Sequence, residues 1–419
     1  MNCDWKKTTI DEACVRVYSG GTPSTKEPAY WNGDINWLSS GETRNKFIYE
    51  TERKITKIGV EQSSTQLAFK DSIVIATAGQ GYTRGQASFL QIDTYVNQSV
   101  LVLEADRMMV EPLFLYYNLS NRYEELRQLS DGTSTRGGLS GWIVRRMAIN
   151  LPPIVIQKKI VDVLYAIDQK IECNTAINKN LEEQALTLFR KWFIHFEFNG
   201  ERSYQDSVFG SIPSDFNVVK VGSIPALVTD YVANGSFASL KENVILYQEP
   251  NYAYFIRNTD LKSGSFGVYV DQHSYDFLSK SSLFGGELII SNVGDVGSVF
   301  LCPTLDRPMT LGNNVIMIRP EERALRYYLY IWFKYLQGQT IIQGIKGGSA
   351  QPKFNKTDFK NSLLLLPPAT LLHTFDKVVS PMFELISANH VQNHRLANLR
   401  VPLLPRLMSG EIDVSDIEL

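Results

Sequence analysis

The feature that most restricts what this chain can become is that it is written twice. A shift of 215 positions lays Leu151-Pro152-Pro153 on Leu366-Pro367-Pro368, Gly79 on Gly294, Gly132 on Gly347 and Ser134 on Ser349. The register carries on through Val163/Val378, Ile171/Ile386, Asn174/Asn389, Asn178/Asn393 and Leu181/Leu396. INWLSSGE around Trp37 resembles YFIRNTDL around Phe255 with a small drift, as Asn97-Gln98 resembles Asn313-Asn314. A register held over so long a stretch means two copies of one structural unit rather than a chance motif. The length of 419 residues suits that reading, since roughly 100–200 residues make a domain.

Each half reads as a strand-rich globular segment followed by a long helix. Short β-branched runs such as Ile73-Val74-Ile75 and Leu288-Ile289-Ile290 alternate with Gly-rich turns, and helical periodicity begins after each LPP. The first helix carries Ile160, Leu164, Ile167, Ile171, Asn174, Asn178, Leu181, Ala185, Leu188 and Trp192 at alternating spacings of four and three, which is a heptad seam. The second repeats it with Phe375, Val379, Met382, Ile386, Asn389, Asn393, Leu396, Arg400, Leu403 and Leu407. An apolar stripe needs a partner. The spacing predicts that the helices pair antiparallel about a pseudo-two-fold, with globular domains at opposite ends and the seam asparagines fixing register. The plainer alternative packs each helix on its own domain. A seam of this extent is about 50 Å long at about 1.5 Å per residue, longer than a DNA turn of about 34 Å, so the pair is suited to act as a spacer. Pro381 is expected to kink the second helix, and Pro402 and Pro405 to end it.

The fold class is therefore α+β, with two mixed, strand-rich domains and two long helices. The boundaries read from sequence are 1–150 and 216–365 for the globular domains, 151–197 and 366–408 for the helices, 198–215 for a polar linker and 409–419 for a tail. Hydrophobic residues make up 44% of the chain and charged residues 21%, which excludes a disordered polymer. Forty-two basic against 44 acidic residues give a net charge of −2, so a polyanion must be gripped locally rather than by the whole surface. Cys3, Cys14, Cys173 and Cys302 contain no CxxC pair, which argues against a disulfide framework or a structural zinc. MNCDWKKTT lacks the apolar core of a signal peptide, and no apolar run approaches the roughly 18–20 residues of a membrane span; a cytoplasmic location is expected.

No catalytic constellation emerges. Asn150-Leu151-Pro152-Pro153 has a faint likeness to the N-P-P-aromatic loop of amino-methyltransferases, but its counterpart is Leu365 and no aromatic residue follows. Asp34 with Glu52-Arg53-Lys54 has the spacing of a metal-dependent nuclease and no copy in the second half. His390 and His394 share a helix face but lack the glutamate of HExxH and a third ligand, and His195 has no nucleophile signature nearby. No phosphate-binding G-x-x-x-x-G-K-[ST] loop is present. The expectation is no catalytic residue, no metal and no cofactor on this chain.

What remains is a set of loops at equivalent places. AGQGYTRGQ offers Gln80, Thr83, Arg84 and Gln86. GTSTRGGLSGW offers Ser134, Thr135 and Arg136, with Arg145 and Arg146 after it. In the second half IKGGSAQPKFNK offers Lys346, Ser349, Gln351, Lys353, Asn355 and Lys356. Glycine admits close backbone approach, hydroxyls and lysines suit phosphate oxygens, and Arg, Gln and Asn make bidentate base contacts. Residues 341–361 carry Lys346, Lys353, Lys356 and Lys360 against Asp358 alone. An ordinary solvated turn is the rival reading. Recurrence ahead of the same LPP-helix unit, with different residues, favours double-stranded DNA read in two unlike halves.

On these residues the chain resembles the DNA specificity subunit of Type I restriction-modification systems along nearly its whole length. YWNGDINWLSSGE (Tyr30 to Glu42) is similar to the start of a target recognition domain, LPPIVIQKKIVDVLYAIDQKIE (Leu151 to Glu172) to the helical region after it, and LLPRLMSGEIDV (Leu403 to Val414) to the family's C-terminus. The resemblance implies two target recognition domains reading a bipartite sequence, two spacer helices, and no chemistry of the chain's own. It further implies two modification subunits that bind S-adenosylmethionine and methylate adenine, and restriction subunits that use ATP and magnesium to cleave. Leu372 in the place of Gln157, and Pro381, depart from the pattern. A non-DNA protein with two adhesive domains on a coiled coil and a nucleic-acid-modifying enzyme are the competing readings.

Overall fold

The computed structural model describes residues 5–79, 81–131, 138–198, 203–348 and 351–415, with the backbone alone at Leu336. Two compact units emerge: residues 1–173 with 392–419, and residues 174–391. Both long helices are therefore divided between the units, unlike the sequence-based boundaries, which gave each helix to a segment of its own.

The first unit holds two larger sheets beside the two-stranded pair of Lys6–Thr9 with Ala148–Leu151. One orders its strands Cys14–Ser19, Val100–Ala105, Ile73–Ala76, Ala87–Leu90, Phe47–Ile48; the other orders them Arg53–Ile55, Trp31–Leu38, Thr94–Val96, Gln66–Ala68. Alternation along Ile73–Ala76 explains how the layers stack. Ile73 and Ile75 face a core shared with Phe114, Leu115 and Tyr117 of the helix Pro112–Asn121, whereas Val74 faces a second core with Leu38, Val96 and Val102. The central strand is buried on both faces, so all four of its residues are apolar.

The second unit repeats this plan. Its strands Leu288–Ser291, Met309–Leu311, Val315–Pro320 and Leu363–Leu366 lie 215 positions after Ile73–Ala76, Thr94–Val96, Val100–Ala105 and Ala148–Leu151. Its helices Lys356–Asn361 and Ala369–Met408 stand at the same offset from Gly141–Arg146 and Ile154–Phe193. Leu288 and Ile290 face one core and Ile289 another, as their counterparts do. Trp37-Leu38 and Phe255-Ile256 each pair in parallel with the equivalent strand, Tyr95-Val96 or Thr310-Leu311. Buried Glu42 accepts the Ser39 N–H at 2.9 Å, and buried Asp260 accepts the Arg257 N–H at 2.9 Å. The same turn is thus closed by a carboxylate in both copies.

The long helices run antiparallel. Within the first unit, Arg400 Nε donates to Asp168 at 3.0 Å and Asn393 Nδ2 to the Ile171 carbonyl at 3.4 Å. Within the second, Asn389 Nδ2 donates to Asn178 Oδ1 at 2.8 Å. Ile160, Leu164, Ile167, Asn174, Asn178, Ala185, Phe375, Val379 and Asn389 are buried as seam positions should be, with Ile171, Leu181, Met382, Ile386, Asn393 and Leu396 half-buried. The helices also pack on the globular cores: Ile160 and Leu164 share a core with Phe114, and Phe375, Val379 and Phe383 share one with Tyr327 and Tyr328. Within each unit, pairing of the two helices and packing of a helix on the unit's own core are both present.

Two expectations need correction. The second helix is continuous from Ala369 to Met408, through Pro381, Pro402 and Pro405. All three prolines are exposed, as are Lys377, Asn398 and Val401, the residues four positions earlier whose carbonyls lose a partner. The prolines and these residues thus lie on the exposed side of the helix, where a missing backbone bond costs less than in a core. The stretch 198–215 is not merely a polar linker either. It carries a hairpin, Tyr204–Ser207 with Gly210–Pro213, whose Ile212 is buried. The tail is likewise used, since Val414 is buried in the first unit's core and Lys159 Nζ donates to the Ser415 carbonyl at 2.6 Å.

Candidate nucleic-acid interface

In the first unit the turn after Ile73–Ala76 and the segment before Gly141–Arg146 come together. The Leu139 N–H donates to the Thr77 carbonyl at 2.8 Å, and the Tyr123 hydroxyl donates to the Tyr82 carbonyl at 3.0 Å. Gln80, Ser134, Thr135, Arg136 and Ser349 lie outside the described residues. Thr83 is half-buried, and its carbonyl accepts the Gln86 N–H within the turn.

Several candidate side chains prove to be committed within the fold. Arg84 is buried and ion-paired with Asp131. Arg145 pairs with Asp11 at 2.6 Å and donates to the Val17 carbonyl, anchoring its helix to the strand Cys14–Ser19. Asn355 caps the helix Lys356–Asn361 by accepting the Asp358 N–H at 2.8 Å, and Lys356 pairs with Asp230 at 2.7 Å. These four build the scaffold under the loops. Gln86 is half-buried with Oε1 unpartnered among the described residues.

The side chains presented outward are Arg146, Lys346, Gln351 and Lys353, all exposed. Arg146 lies over the Trp142 ring, 4.7 Å from its centroid, which holds the guanidinium extended from the short helix. In the second unit Lys353 exchanges both backbone bonds with Gly347, at 2.8 and 2.9 Å, closing a tight loop. That loop is tied to the turn after Leu288–Ser291: Gly294 donates to the Pro352 carbonyl at 3.0 Å, and Asn292 Nδ2 to the Phe354 carbonyl at 3.1 Å. Both units therefore build the same platform, a turn after the central strand bonded to a loop before a short helix.

The two platforms differ in charge. In the second, Asp295 accepts from Ser298 at 2.8 Å and Lys262 at 3.2 Å. The Ser298 hydroxyl, and after it Lys262 and Asn258, hold that carboxyl below the usual carboxylate range, so it stays ionised. An anion there repels phosphate but can accept from a cytosine amine.

Sequence reasoning missed the residue that joins globular domain and helices. Asp168 is 1% exposed and accepts from Lys46 Nζ at 2.8 Å, Tyr117 Oη at 3.1 Å and Arg400 Nε at 3.0 Å. An arginine at a seam position was the available signal, because a buried cation requires a carboxylate opposite. Gln157 ties helix to domain in a similar way. It is 1% exposed, accepts the Glu111 N–H at 2.9 Å and donates to the carbonyls of Met109 at 3.1 Å and Pro152 at 2.9 Å. Leu372, its counterpart, is simply buried. Among the described residues no three His, Cys, Asp or Glu side chains cluster as a metal site, and no helix is long and apolar enough to cross a membrane.

Comparison with known proteins agrees with this geometry. The family described as Type I restriction modification DNA specificity domain matches residues 2–183 and again residues 213–378. The specificity subunit of the Type I restriction enzyme MjaIX of Methanocaldococcus jannaschii is 29% identical over 99% of this chain and 95% of its own length. The HindI specificity subunit of Haemophilus influenzae is 23% identical over 77% of this chain and 82% of its own. In fold, the chain is similar to the Type I restriction-modification S subunit from M. genitalium, with a TM-score of 0.61, 16% identity and coverage of 97% and 96% of the two chains.

Proposed function

The chain belongs to the Type I restriction-modification DNA specificity family, and from that premise we propose that it is the sequence-reading subunit of such a complex. Each unit reads one half of a bipartite double-stranded DNA target, and the length of the paired helices sets the number of unread base pairs between the halves. One observation carries this reading. The same turn-loop-helix platform recurs 215 positions apart on one scaffold, while its outward residues change from Arg146 to Lys346, Gln351 and Lys353. A constant frame with variable tips is what two unlike half-sites require.

The lysines and arginine engage phosphates and position the duplex, and Gln351, with Gln80 and Gln86, is the kind of side chain that reads a base edge. Methylation and cleavage belong to partner subunits: modification subunits, two per chain, carrying S-adenosylmethionine, and restriction subunits using ATP and magnesium. The complex acts on cellular DNA in the cytoplasm. Replacing residues 1–150 with those of a relative, and mapping methylated adenines in cells carrying the system, tests the division of labour. One half of the methylated sequence changes and the other stays; a change in both halves overturns it.

A further inference from the structure

The Tyr82 side chain takes part in none of the first platform's contacts described above. It is 82% exposed, more than any other Phe, Tyr or Trp among the described residues. Its backbone, by contrast, is pinned. The Tyr123 hydroxyl donates to the Tyr82 carbonyl at 3.0 Å, Gly85 donates to the Ala76 carbonyl at 2.8 Å and Gln86 to the Thr83 carbonyl at 3.1 Å. Gly81 and Gly85, at φ 63° and 87°, make the left-handed bends that turn the segment outward. Arg84 is locked beneath by Asp131. A ring held in water by a fixed backbone has sacrificed the burial that other aromatic residues of this chain obtain, and its backbone has little freedom left to lose on binding.

The equivalent turn of the second unit presents no ring. Val296 packs against its own core, and Asp295 is the exposed side chain, held by Ser298 and Lys262. The difference lies at the part of the platform that the proposed function turns toward DNA.

We propose that Tyr82 is a specificity-determining residue of the first platform, its ring packing as an apolar wedge against a base step of the half-site that this unit reads. Apolar side chains inserted at a base step select for steps that unstack easily, and aromatic rings gain affinity by packing on bases. The second half-site is read without such a wedge. The inference rests on the reading that this platform faces DNA.

The test uses the full chain in complex with its modification subunits and duplexes carrying the target deduced from methylated adenines. Tyr82→Ala lowers affinity by roughly 5- to 100-fold, Tyr82→Phe stays within about twofold, and the slope of log affinity against log salt is unchanged because no charge is lost. Scrambling the half-site assigned to residues 1–150 abolishes the difference between wild type and Tyr82→Ala; scrambling the other half-site leaves it. Wild-type affinity for Tyr82→Ala, or a penalty that survives scrambling of its own half-site, overturns the wedge. Loss of sequence-selective binding by the wild type itself overturns the reading beneath it, and an unchanged thermal midpoint separates either result from misfolding.

Discussion

Replacing Asp168 by alanine removes the acceptor shared by Lys46, Tyr117 and Arg400. The consequences for the two cationic partners are unequal. Lys46 has a side chain 47% exposed and turns to water at little cost, worth about 0–1 kcal/mol. Arg400, with a side chain 12% exposed, stays buried beside the Tyr117 ring as an uncompensated cation. Breaking a buried pair from one side costs about 3–5 kcal/mol, so Asp168→Ala should destabilise the first unit by that amount. Adding Arg400→Met removes the stranded charge while keeping its bulk, and should recover about half of the loss. Urea unfolding followed by tryptophan emission measures the total. Amide exchange locates it, with protection lost first along 154–173 and 396–408. An Asp168→Ala variant within about 1 kcal/mol of wild type, or a double variant no better than the single one, refutes the reasoning.

Gln157→Leu, which copies the second unit's Leu372, should cost about 2–4 kcal/mol because the Glu111 N–H and the carbonyls of Met109 and Pro152 lose their partner; the shift in urea midpoint checks it. Pro381→Ala should stabilise the second unit by about 1–3 kcal/mol, since proline within an exposed helix interior is disfavoured against alanine by about 3 kcal/mol. A fall in the midpoint would mean that the ring, and not the helix, was being used at that position.

Much of this architecture was legible because duplication turns weak signals into paired ones. The matched apolar runs at Ile73 and Leu288, and the seam through Asn178 and Asn389, could each be checked against a copy. The continuity of the second helix was not legible, because proline's penalty depends on whether the carbonyl four residues earlier faces water, which is a tertiary fact. The hairpin in 204–213 was hidden by its polar composition, since only Ile212 and Pro213 of that hairpin are buried. In the first unit the turn after Ile73–Ala76 adjoins the segment before Gly141–Arg146, yet sequence could not separate scaffold from display. Arg84 and Arg146 are the same residue type in adjoining segments, and only the positions of Asp131 and Trp142 decide that one is locked inside and the other held outward.

The most direct measurement of the central claim is site-specific photocrosslinking of the assembled complex to its target duplex, with a benzoylphenylalanine introduced at Arg146 in one preparation and at Lys353 in another. Two platforms reading two half-sites predict crosslinks confined to different halves of the target, Arg146 to one and Lys353 to the other. Crosslinks from both positions to the same half, or to the unread bases between them, would contradict it.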